Sequence, residues 1–557
     1  MKKAPHAAHR GPPRIFLIGG GDARVLDGAP GEMGFKAYNL MRMAKIGLRV
    51  PPAFVITTGY FAPGKKGKHE LPEELAKRLH ASVHELESIT GTGFGSARKP
   101  LLLSVRSGAA VSMPGMLDTI LDVGLNDVTV HGLIRATGNP RLAWDSYRRL
   151  VQSFGEVVCG MPAAPFEHAL AAELKDSHAA HASELDFERL QKLTATYLDL
   201  FKSKVGSAFP QQPQQQLEQA IGAVFASWNG VKAAEYRKLH KIDDAIGTAV
   251  TVQVMVFGNS GGTSGAGVGF TRDPSTGDKR LYMDFLFNAQ GEDVVSGRHA
   301  VSGAGETDTD AGDGEANNDL SQLLPQVWAE IEEVRRKLEE EFRDVQEFEF
   351  TVQDGTLWLL QTRNGKRTPL AQLRTTVGMT EEGLIDTAEA LTRLKGIDLD
   401  AIVQTRLAPE QAKSLLATGI AAGIGVATGE IALDVARAQE RAALGRAVIL
   451  VRADTTTADI GGIAVARGIL TATGGRTSHA AVVARQLGKA CIVSCAKLHI
   501  DEAARHCRIG DTELKEGDII TLDGGTGAVH MGPAKVVTEK PDKLIAQVKR
   551  WRAEASG

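Results

Sequence analysis

The segment GGRTSHAAVVAR, residues 474–485, places a histidine at the start of an expected helix. A glycine pair and then Thr477, Ser478 and His479 precede a run of alanine and valine. The N-terminus of a helix stabilises an anion, and hydroxyl groups can donate hydrogen bonds to it. A neutral imidazole is also a competent nucleophile near pH 7. The pattern therefore favours a histidine that becomes phosphorylated, with a buried structural histidine as the alternative.

A second set of polar residues alternates along two neighbouring strands. Glu347 and Glu349 alternate in EFEF, so both lie on one face, and Gln361 and Arg363 alternate in the next strand. Two carboxylates with a carbonyl oxygen can hold Mg²⁺ on a nucleotide, and an arginine can clamp phosphate. A cross-strand ladder of salt bridges explains the same residues, and the sequence leaves both interpretations open.

A third feature is a loop rich in glycine that follows a strand, in SVRSGAAVSMPGM. Arg106 leads from the strand into this loop, which contains Gly108 and Gly115. Backbone N–H groups in such a loop can bind phosphates. Lys36, on an expected amphipathic helix, is another candidate phosphate contact. An ordinary turn and a solvated lysine are the alternatives.

Hydrophobic periodicity predicts the elements that must position these residues. RIFLIGGG predicts a strand, and the stretch after it predicts a helix that ends at Gly47. Residues 128–245 are expected to be mostly helical, with FPQQPQQQLEQ as a surface connection. β-branched residues in GTAVTVQVMVFGN predict a strand, and Asp354-Gly355 predicts a hairpin between EFEFTVQ and TLWLLQTR. The acidic residues 303–318 predict a solvated loop.

Composition excludes several classes of protein. The 557 residues include 64 Lys and Arg against 67 Asp and Glu, a net charge of −3, so there is no bulk basic field for nucleic acid. No apolar run approaches the ~18 residues that a membrane span needs. Four cysteines in this length form no disulfide framework, which predicts a reducing cytoplasm. The spacing of Cys491 and Cys495 disfavours a zinc site.

These segments together resemble the pyruvate, phosphate dikinase family, in the family's own order. The resembling blocks are PLLLSVRSGAAVSMPGMLDTILDVGLND, GNPRLAWDSYRRLVQ, GTAVTVQVMVFGN, GVGFTRDPSTGDK, NAQGEDVVSG, EFEFTVQDGTLWLLQTRNGKRT and GGRTSHAAVVARQLGKACIVS. The resemblance implies an α/β and α+β multidomain fold, in which an ATP-grasp nucleotide-binding region precedes a swivelling phosphohistidine α/β domain. The expected boundaries are 1–375 for the nucleotide-binding region with a helical insert at 128–245, 376–415 for a helical linker, 416–533 for the phosphohistidine domain, and 534–557 for a C-terminal helix.

The resemblance also implies roles for the candidate residues. His479 would carry the phosphoryl group beside the hydroxyls of Thr477 and Ser478, while Arg363 and Arg149 would neutralise charge that develops during transfer. The residues implied to bind ATP are Lys36, Arg106, Ser112, Gly115, Gln253, Met255, Phe257, Glu347, Glu349 and Gln361. Within that set, the two basic side chains would bind phosphates and the 253–257 segment would line the adenine side. Glu349 and Gln361 would hold Mg²⁺.

The family's reaction implies that ATP and orthophosphate phosphorylate His479 and release AMP and pyrophosphate. In the family a C-terminal TIM barrel then passes the phosphoryl group to pyruvate, and the resemblance stops before that barrel. We therefore expect pyruvate, or another acceptor, to bind on a separate domain or chain, and a homodimer is one arrangement. Neither nucleic acid nor a membrane is expected as a partner. The alternatives are a catalytically impaired nucleotide-binding regulatory paralogue and a phosphotransferase with a small-molecule acceptor.

Two departures from the family's usual sequence flank the histidine. Thr473 stands where an arginine is usual, and Arg476 stands where a methionine is usual. Our hypothesis is that the positive charge has moved across the glycine pair. Loss of phosphoryl transfer in the double variant Thr473→Arg with Arg476→Met would argue against it.

Overall fold

The computed structural model describes residues 13–19, 28–60, 71–111, 113, 118–179, 181–296, 302–303, 320–408, 414–476 and 478–555. The chain divides into two compact units. Unit 1 is Met1–Ser260 with Trp358–Gln361, and unit 2 is Gly261–Leu357 with Thr362–Gly557. No helix in the described ranges combines the length and the apolar character of a membrane span.

Unit 1 is built on an antiparallel sheet in the order β1-β2-β5-β3-β4. The strands are β1 (Ile15–Ile18), β2 (Ala53–Ile56), β3 (Leu103–Ala109), β4 (Thr119–Val123) and β5 (Thr248–Val254). The β-branched run TAVTVQV forms the central strand β5, and its first six residues are buried. The strand predicted from that run is therefore confirmed.

Helices make up most of the other described residues of unit 1. They are α1 (Pro30–Lys45), α2 (Glu73–Thr90), α3 (Thr129–Thr137), α4 (Pro140–Cys159), α5 (Ala164–Ser177), α6 (Phe187–Val205), α7 (Pro213–Ser227) and α8 (Val231–His240). Helix α4 shows the usual signals for both ends. The Asn139 side chain accepts a hydrogen bond from Leu142 N at 2.9 Å, Pro140 occupies the first turn, and Gly160 ends the helix at φ 70°.

The polar segment FPQQPQQQLEQ is a surface connection only in its first part. Helix α7 begins at Pro213, and Gln216 within it is fully buried. The Gln216 Nε2 atom donates to Leu125 O at 2.8 Å and to Pro210 O at 2.7 Å. The predicted surface connection is therefore wrong for the part that forms α7. Gln216 can be buried there because its hydrogen bonds with backbone groups offset the cost of removing it from water.

Unit 2 begins with a sheet in the order β10-β9-β6-β7-β8. The strands are β6 (Gly265–Phe270), β7 (Tyr282–Phe287), β8 (Ser302–Gly303), β9 (Gln346–Gln353) and β10 (Thr356–Asn364), and the helices are α9 (Gly291–Ser296), α10 (Leu320–Leu323) and α11 (Pro325–Phe342). The predicted hairpin is confirmed, with Asp354 at φ 50° and Gly355 at φ 74° between β9 and β10. Residues 304–318 of the predicted acidic loop lie outside the described residues.

Alternate glycines in β6 determine how one face of this sheet packs. A Cβ atom on Gly267 would lie 2.3 Å from the Phe350 ring, and one on Gly265 would lie 2.2 Å from the Phe285 ring. The phenylalanines of β7 and β9 therefore fill the space that the glycines leave. The other face of the same strands is left to carry polar side chains.

The next part of unit 2 opens with two helices and two short strands. These are α12 (Pro369–Glu381), α13 (Thr387–Arg393), β11 (Gln404–Leu407) and β12 (Leu415–Thr418). The remaining elements are β13 (Ile420–Gly423), β14 (Val426–Ala432), α14 (Val435–Ala443), β15 (Val448–Arg452), α15 (Ile460–Val465), β16 (Gly468–Thr471), α16 (His479–Gln486), β17 (Ala490–Val493), β18 (Leu498–Asp501), β19 (His506–Ile509), β20 (Thr512–Lys515), β21 (Ile519–Asp523), β22 (Ala528–Met531), β23 (Val536–Glu539) and α17 (Asp542–Glu554).

A mixed sheet in the order β12-β22-β21-β14-β15-β16-β17-β13 forms the core of this part. Strands β14, β15, β16 and β17 run parallel, and the helices α14, α15 and α16 connect them. Helix α16 follows the carboxyl end of β16, which is the edge where parallel α/β sheets bind ligands. The α/β multidomain fold class is confirmed.

The segments on either side of this sheet differ from the expected helices. In the described part of 376–415 the last α-helix ends at Arg393, and β11 in the same region pairs with β23, with Gln404 opposite Glu539. The C-terminal helix begins only at Asp542, after that strand. Because the paired residues lie 129 to 135 positions apart, this pairing leaves no local signal in the sequence. The division between units falls after Ser260, and the domain boundaries given above stay a prediction.

Candidate active site

The histidine loop, residues 472–478, joins β16 to α16 in unit 2. Helix α16 begins at His479 as predicted, and Ser478 is its N-cap with a hydroxyl oxygen 3.5 Å from Ala481 N. The loop is braced on its other side, where Ser494 Oγ donates to Gly474 O at 2.6 Å. Gly474 has φ +108°, a conformation that an L residue rarely adopts. Thr477 and the side chain of His479 lie outside the described residues.

Strand β9 carries the two glutamates on the face opposite the phenylalanines. Glu347 Oε1 accepts a hydrogen bond from Arg363 Nη2 at 2.5 Å across to β10. Burial alone would lower the pKa of the Arg363 guanidinium, but the Glu347 carboxylate outweighs burial and raises that pKa. The salt-bridge interpretation therefore holds for this pair. Glu349, two residues further along β9, is half-buried on the same face.

A third carboxylate, which sequence reasoning missed, shares that face. Val268 of β6 lies directly opposite Glu349 on one side and Asp284 of β7 on the other. Directly paired residues present their side chains to the same face of a sheet. Asp284 is completely buried. The available signal was an aspartate inside the apolar strand YMDFLF, since an acid is seldom buried without a partner or a function.

Two glycines bring the segments of Lys36 and Arg106 together in unit 1. Gly34 has φ +74°, and a Cβ atom there would lie 2.2 Å from Gly108 O. Lys36 follows Gly34 by two residues on α1, and Arg106 precedes Gly108 by two residues on β3. The close backbone approach places two half-buried basic side chains on neighbouring elements. Ser112 and Gly115, from the same predicted set, lie outside the described residues.

Arg149 lies on α4 in a buried ionic cluster. Asp145 Oδ2 accepts from Arg149 Nε at 2.9 Å, and Asp145 Oδ1 accepts from Arg148 Nη2 at 2.6 Å. Burial opposes ionisation of Asp145, but the Arg149 and Arg148 guanidinium groups outweigh it and hold the pKa of that carboxyl well below its usual range. The carboxylate therefore fixes the orientation of Arg149.

The predicted adenine side occupies the end of β5 and the residues after it. Gln253 is buried, with Nε2 donating to Pro51 O at 3.3 Å. Met255 is half-buried, and its backbone N donates to Leu102 O at 2.9 Å. Phe257 is buried. The structure thus places Gln253 between β2 and β3, Met255 beside Leu102, and Phe257 in the hydrophobic core of unit 1, while their contact with adenine stays a prediction.

Gln361 lies in β10, within the short stretch Trp358–Gln361 that belongs to unit 1. That stretch is held there by Leu359 N, which donates to Arg49 O at 2.9 Å. Across the described residues, no group of three or more His, Cys, Asp and Glu side chains could hold a metal ion. The donors predicted for Mg²⁺ are instead one carboxylate and one amide oxygen. Oxygen donors of this kind suit Mg²⁺, which usually completes its shell with water and substrate phosphates.

The histidine loop and the carboxylate face meet within unit 2. The Arg476 Cζ atom lies 5.0 Å from the centroid of the Tyr282 ring. Tyr282 is the first residue of β7 and shares the face of Asp284, two residues later. The loop that leads to the histidine therefore packs against the sheet that carries Glu347 and Glu349.

Comparison with protein-family models shows which class of protein the chain resembles. The model for the pyruvate phosphate dikinase AMP/ATP-binding domain matches residues 67–303. The model for the mobile domain of PEP-utilising enzymes matches residues 444–527, which include the histidine loop and α16. The chain thus combines an ATP-binding domain with the mobile domain of PEP-utilising enzymes.

Curated relatives narrow the class further. The chain is 41% identical over 542 residues to pyruvate, phosphate dikinase of Rhizobium meliloti (strain 1021), which covers 97% of this chain and 60% of the relative. It is 40% identical over 526 residues to pyruvate, phosphate dikinase of Clostridium symbiosum, covering 93% and 58%. For pyruvate, phosphate dikinase 2 of Zea mays the identity is 40% over 531 residues, covering 95% and 59%. The chain is a pyruvate, phosphate dikinase-like protein that spans somewhat under two thirds of the length of these relatives.

Proposed function

We propose that this chain catalyses the nucleotide half of a dikinase reaction. ATP and orthophosphate phosphorylate His479, and AMP and pyrophosphate are released. The observation that carries the proposal is the packing of the histidine loop, through Arg476, against the sheet face that bears Glu347 and Glu349. The similarity to dikinases over nearly the whole chain supports the same reaction.

The chain's own residues supply distinct parts of this reaction. The backbone N–H groups at the start of α16 and the Ser478 hydroxyl stabilise the anion that forms on the histidine. Arg363 and Arg149 neutralise charge on the transferred group, each held by a carboxylate. Lys36 and Arg106 bind the ATP phosphates, and Gln253, Met255 and Phe257 receive the adenine. We give Thr477, Ser112 and Gly115 the roles that the resemblance implies: the Thr477 hydroxyl lies beside the phosphohistidine, and Ser112 and Gly115 bind ATP.

Magnesium is the metal that this donor set fits. Glu349 and Gln361 are the proposed ligands, and Glu347, two residues before Glu349 on β9, is held by Arg363. When bound, Mg²⁺ neutralises phosphate charge and orients the nucleotide.

The phosphoryl group then goes to an acceptor. We propose pyruvate, on a separate domain or chain, because the relatives are named pyruvate, phosphate dikinase. The same proposal includes orthophosphate, which accepts the other phosphoryl group of ATP and becomes pyrophosphate. A homodimer and a cytoplasmic location stay predictions.

Product analysis tests the proposal. The protein is incubated with ATP and Mg²⁺, with and without orthophosphate, and nucleotides are separated by ion-exchange chromatography. With orthophosphate, AMP and pyrophosphate in a ratio near one are expected; without it no pyrophosphate should form, and both products should be lost in Glu349→Gln. Formation of ADP and orthophosphate instead would show an ordinary ATPase and overturn the proposal. The exposed pair variant Glu333→Gln, on α11, is the matched control.

A further inference from the structure

Two arginines, one in the histidine loop and one in α16, lie against the ring of Tyr282, which belongs to the sheet that carries Glu347 and Glu349. The Arg476 Cζ atom is 5.0 Å and the Arg485 Cζ atom 5.7 Å from the Tyr282 ring centroid. Arg485 also lies 5.4 Å from the Phe270 ring, and its Nη2 donates to Arg476 O at 2.5 Å. These distances are those of cation–π contacts. The aromatic pair thus binds the histidine loop and the helix that follows it.

The position of the ring relates this contact to the carboxylates. Tyr282 of β7 lies directly opposite Phe270 of β6, which lies directly opposite Glu347 of β9. Adjacent strands are about 4.8 Å apart, so the tyrosine is roughly 10 Å from the strand of Glu347. The contact with Tyr282 therefore holds the histidine loop about two strand spacings from the strand of Glu347.

The environment of the two guanidinium groups makes the contact strong. Arg485 is 3% exposed and Tyr282 is 7% exposed. In the part of the chain that the structure describes, neither arginine forms an ion pair with a carboxylate. Cation–π attraction increases when both partners are shielded from water. The aromatic faces and one backbone carbonyl are the compensation seen for the charges of buried Arg485 and half-buried Arg476.

The tyrosine offers a neutral ring across the usual pH range. Burial raises the pKa of Tyr282 to about 12, although Arg485 and Arg476 act in the opposite direction. Its hydroxyl lies 3.5 Å from Ala421 O. The phenol oxygen therefore contributes little to the binding of the two arginines, which contact the face of the ring.

We propose that Tyr282 is a positioning residue for the histidine loop, and that Arg476 and Arg485 hold the loop to it in the arrangement from which His479 is phosphorylated. This inference rests on the proposed function. The contact acts through position and takes no part in the chemistry. The rate of histidine phosphorylation should therefore depend on it, while nucleotide affinity and the reactivity of the imidazole should not.

The test uses the full chain with Arg476→Ala and Tyr282→Leu, and with Tyr282→Phe and Arg508→Ala as controls. Arg508 is a half-exposed arginine on β19, where its Nε lies 3.9 Å from Glu513 Oε1 on β20. Three quantities are measured: single-turnover phosphorylation from ATP and orthophosphate, the Kd for ATP, and labelling of His479 by phosphoramidate. Hydrogen exchange of the 472–478 peptide reports docking without any need for activity.

We expect Arg476→Ala to slow single-turnover phosphorylation about tenfold, the effect of losing one shielded cation–π contact. Tyr282→Leu removes the ring from both arginines and should slow the reaction at least as much. The Kd and the phosphoramidate labelling should stay unchanged, and exchange of the loop peptide should rise. Both controls should match the wild-type protein. Unchanged rates, or a parallel loss of phosphoramidate labelling, would overturn the positioning role.

Failure of the proposed function gives a different result. In that case the wild-type protein itself forms no phosphohistidine from ATP. Hydrogen exchange then decides the docking contact alone. Faster exchange in Arg476→Ala and Tyr282→Leu but not in Tyr282→Phe supports the contact, and equal exchange in all variants overturns it.

Discussion

Replacement of Asp145 by asparagine removes one negative charge from the buried cluster on α4 and leaves its shape almost unchanged. The Asp145 carboxylate binds Arg148 at 2.6 and 3.2 Å and Arg149 at 2.9 Å. The side chains of Asp145 and Arg148 are 4% and 5% exposed, so solvent screens their interaction little. In the variant, Arg148 becomes a buried cation without a carboxylate.

The expected cost follows from that geometry. Breaking a buried ion pair by removing one partner costs about 3–5 kcal/mol, most of it from the charge left behind. Asparagine still accepts one hydrogen bond, so we expect a loss near the lower end, about 3 kcal/mol in the free energy of unfolding of unit 1. Arg149 also loses the Asp145 carboxylate that helps to orient it, and histidine phosphorylation should therefore slow.

Acid should remove the difference between the wild-type protein and the variant. The folded-state pKa of Asp145 is held below the unfolded value, so its contribution is complete above about pH 5 and is lost progressively as the pH falls below that. As pH falls further, the carboxylate of the wild-type protein becomes protonated. The two unfolding free energies should then converge.

Urea unfolding with hydrogen exchange of α4 peptides measures unit 1 separately from unit 2, since a chain of two units need not unfold in one step. Asp176→Asn is the matched control, because Asp176 pairs with Arg189 at 2.9 Å but is 66% exposed. It should change stability little. A loss below about 1 kcal/mol for Asp145→Asn, or a loss equal to that of the control, would refute the reasoning.

Three further predictions follow from packing and burial. Gly267→Ala places a Cβ atom 2.3 Å from the Phe350 ring, so urea unfolding of unit 2 should show a loss of about 2 kcal/mol or more, whereas Gly291→Ala, with open space around it, should not. Gln216→Leu leaves Gly124 N, Leu125 O and Pro210 O without the glutamine that bonds to them, and should lower the stability of unit 1 by about 2 kcal/mol. A variant as stable as the wild-type protein in urea would contradict the role given to these hydrogen bonds. Burial raises the pKa of Cys491 to about 12 and that of Cys495 and Cys507 to about 11, so iodoacetamide at pH 8 should label half-buried Cys159 first, as mass spectrometry can show.

Local patterns in the sequence predicted local structure well. The helix that begins at His479 follows from a glycine pair, two hydroxyl residues and an alanine-rich run, all within twelve residues. The hairpin at Asp354-Gly355 and the shared face of Glu347 and Glu349 follow from turn chemistry and strand alternation. In each case the physical cause lies within a few residues of the feature.

Features that depend on distant partners could not be predicted. The strand Val536–Glu539 forms because Gln404–Leu407 pairs with it, and Gln216 is buried because backbone groups from two loops meet it. The contact of Arg476 with Tyr282 joins residues 194 positions apart, and a cation–π contact has no sequence pattern. Sequence reasoning identified Arg476 as unusual, but only the fold shows what it contacts. The roles of Lys36, Arg106 and the adenine-side residues stay predictions.

Phosphoryl capture on the histidine tests the central claim most directly. The protein is incubated with Mg²⁺, orthophosphate and ATP labelled at the β position, and peptides are searched for acid-labile label, with His479→Asn as control. We predict label on the peptide that contains His479, none in the control, and release of AMP and pyrophosphate. Measurable ATP binding without any label on this histidine would contradict the account and favour a regulatory nucleotide-binding protein.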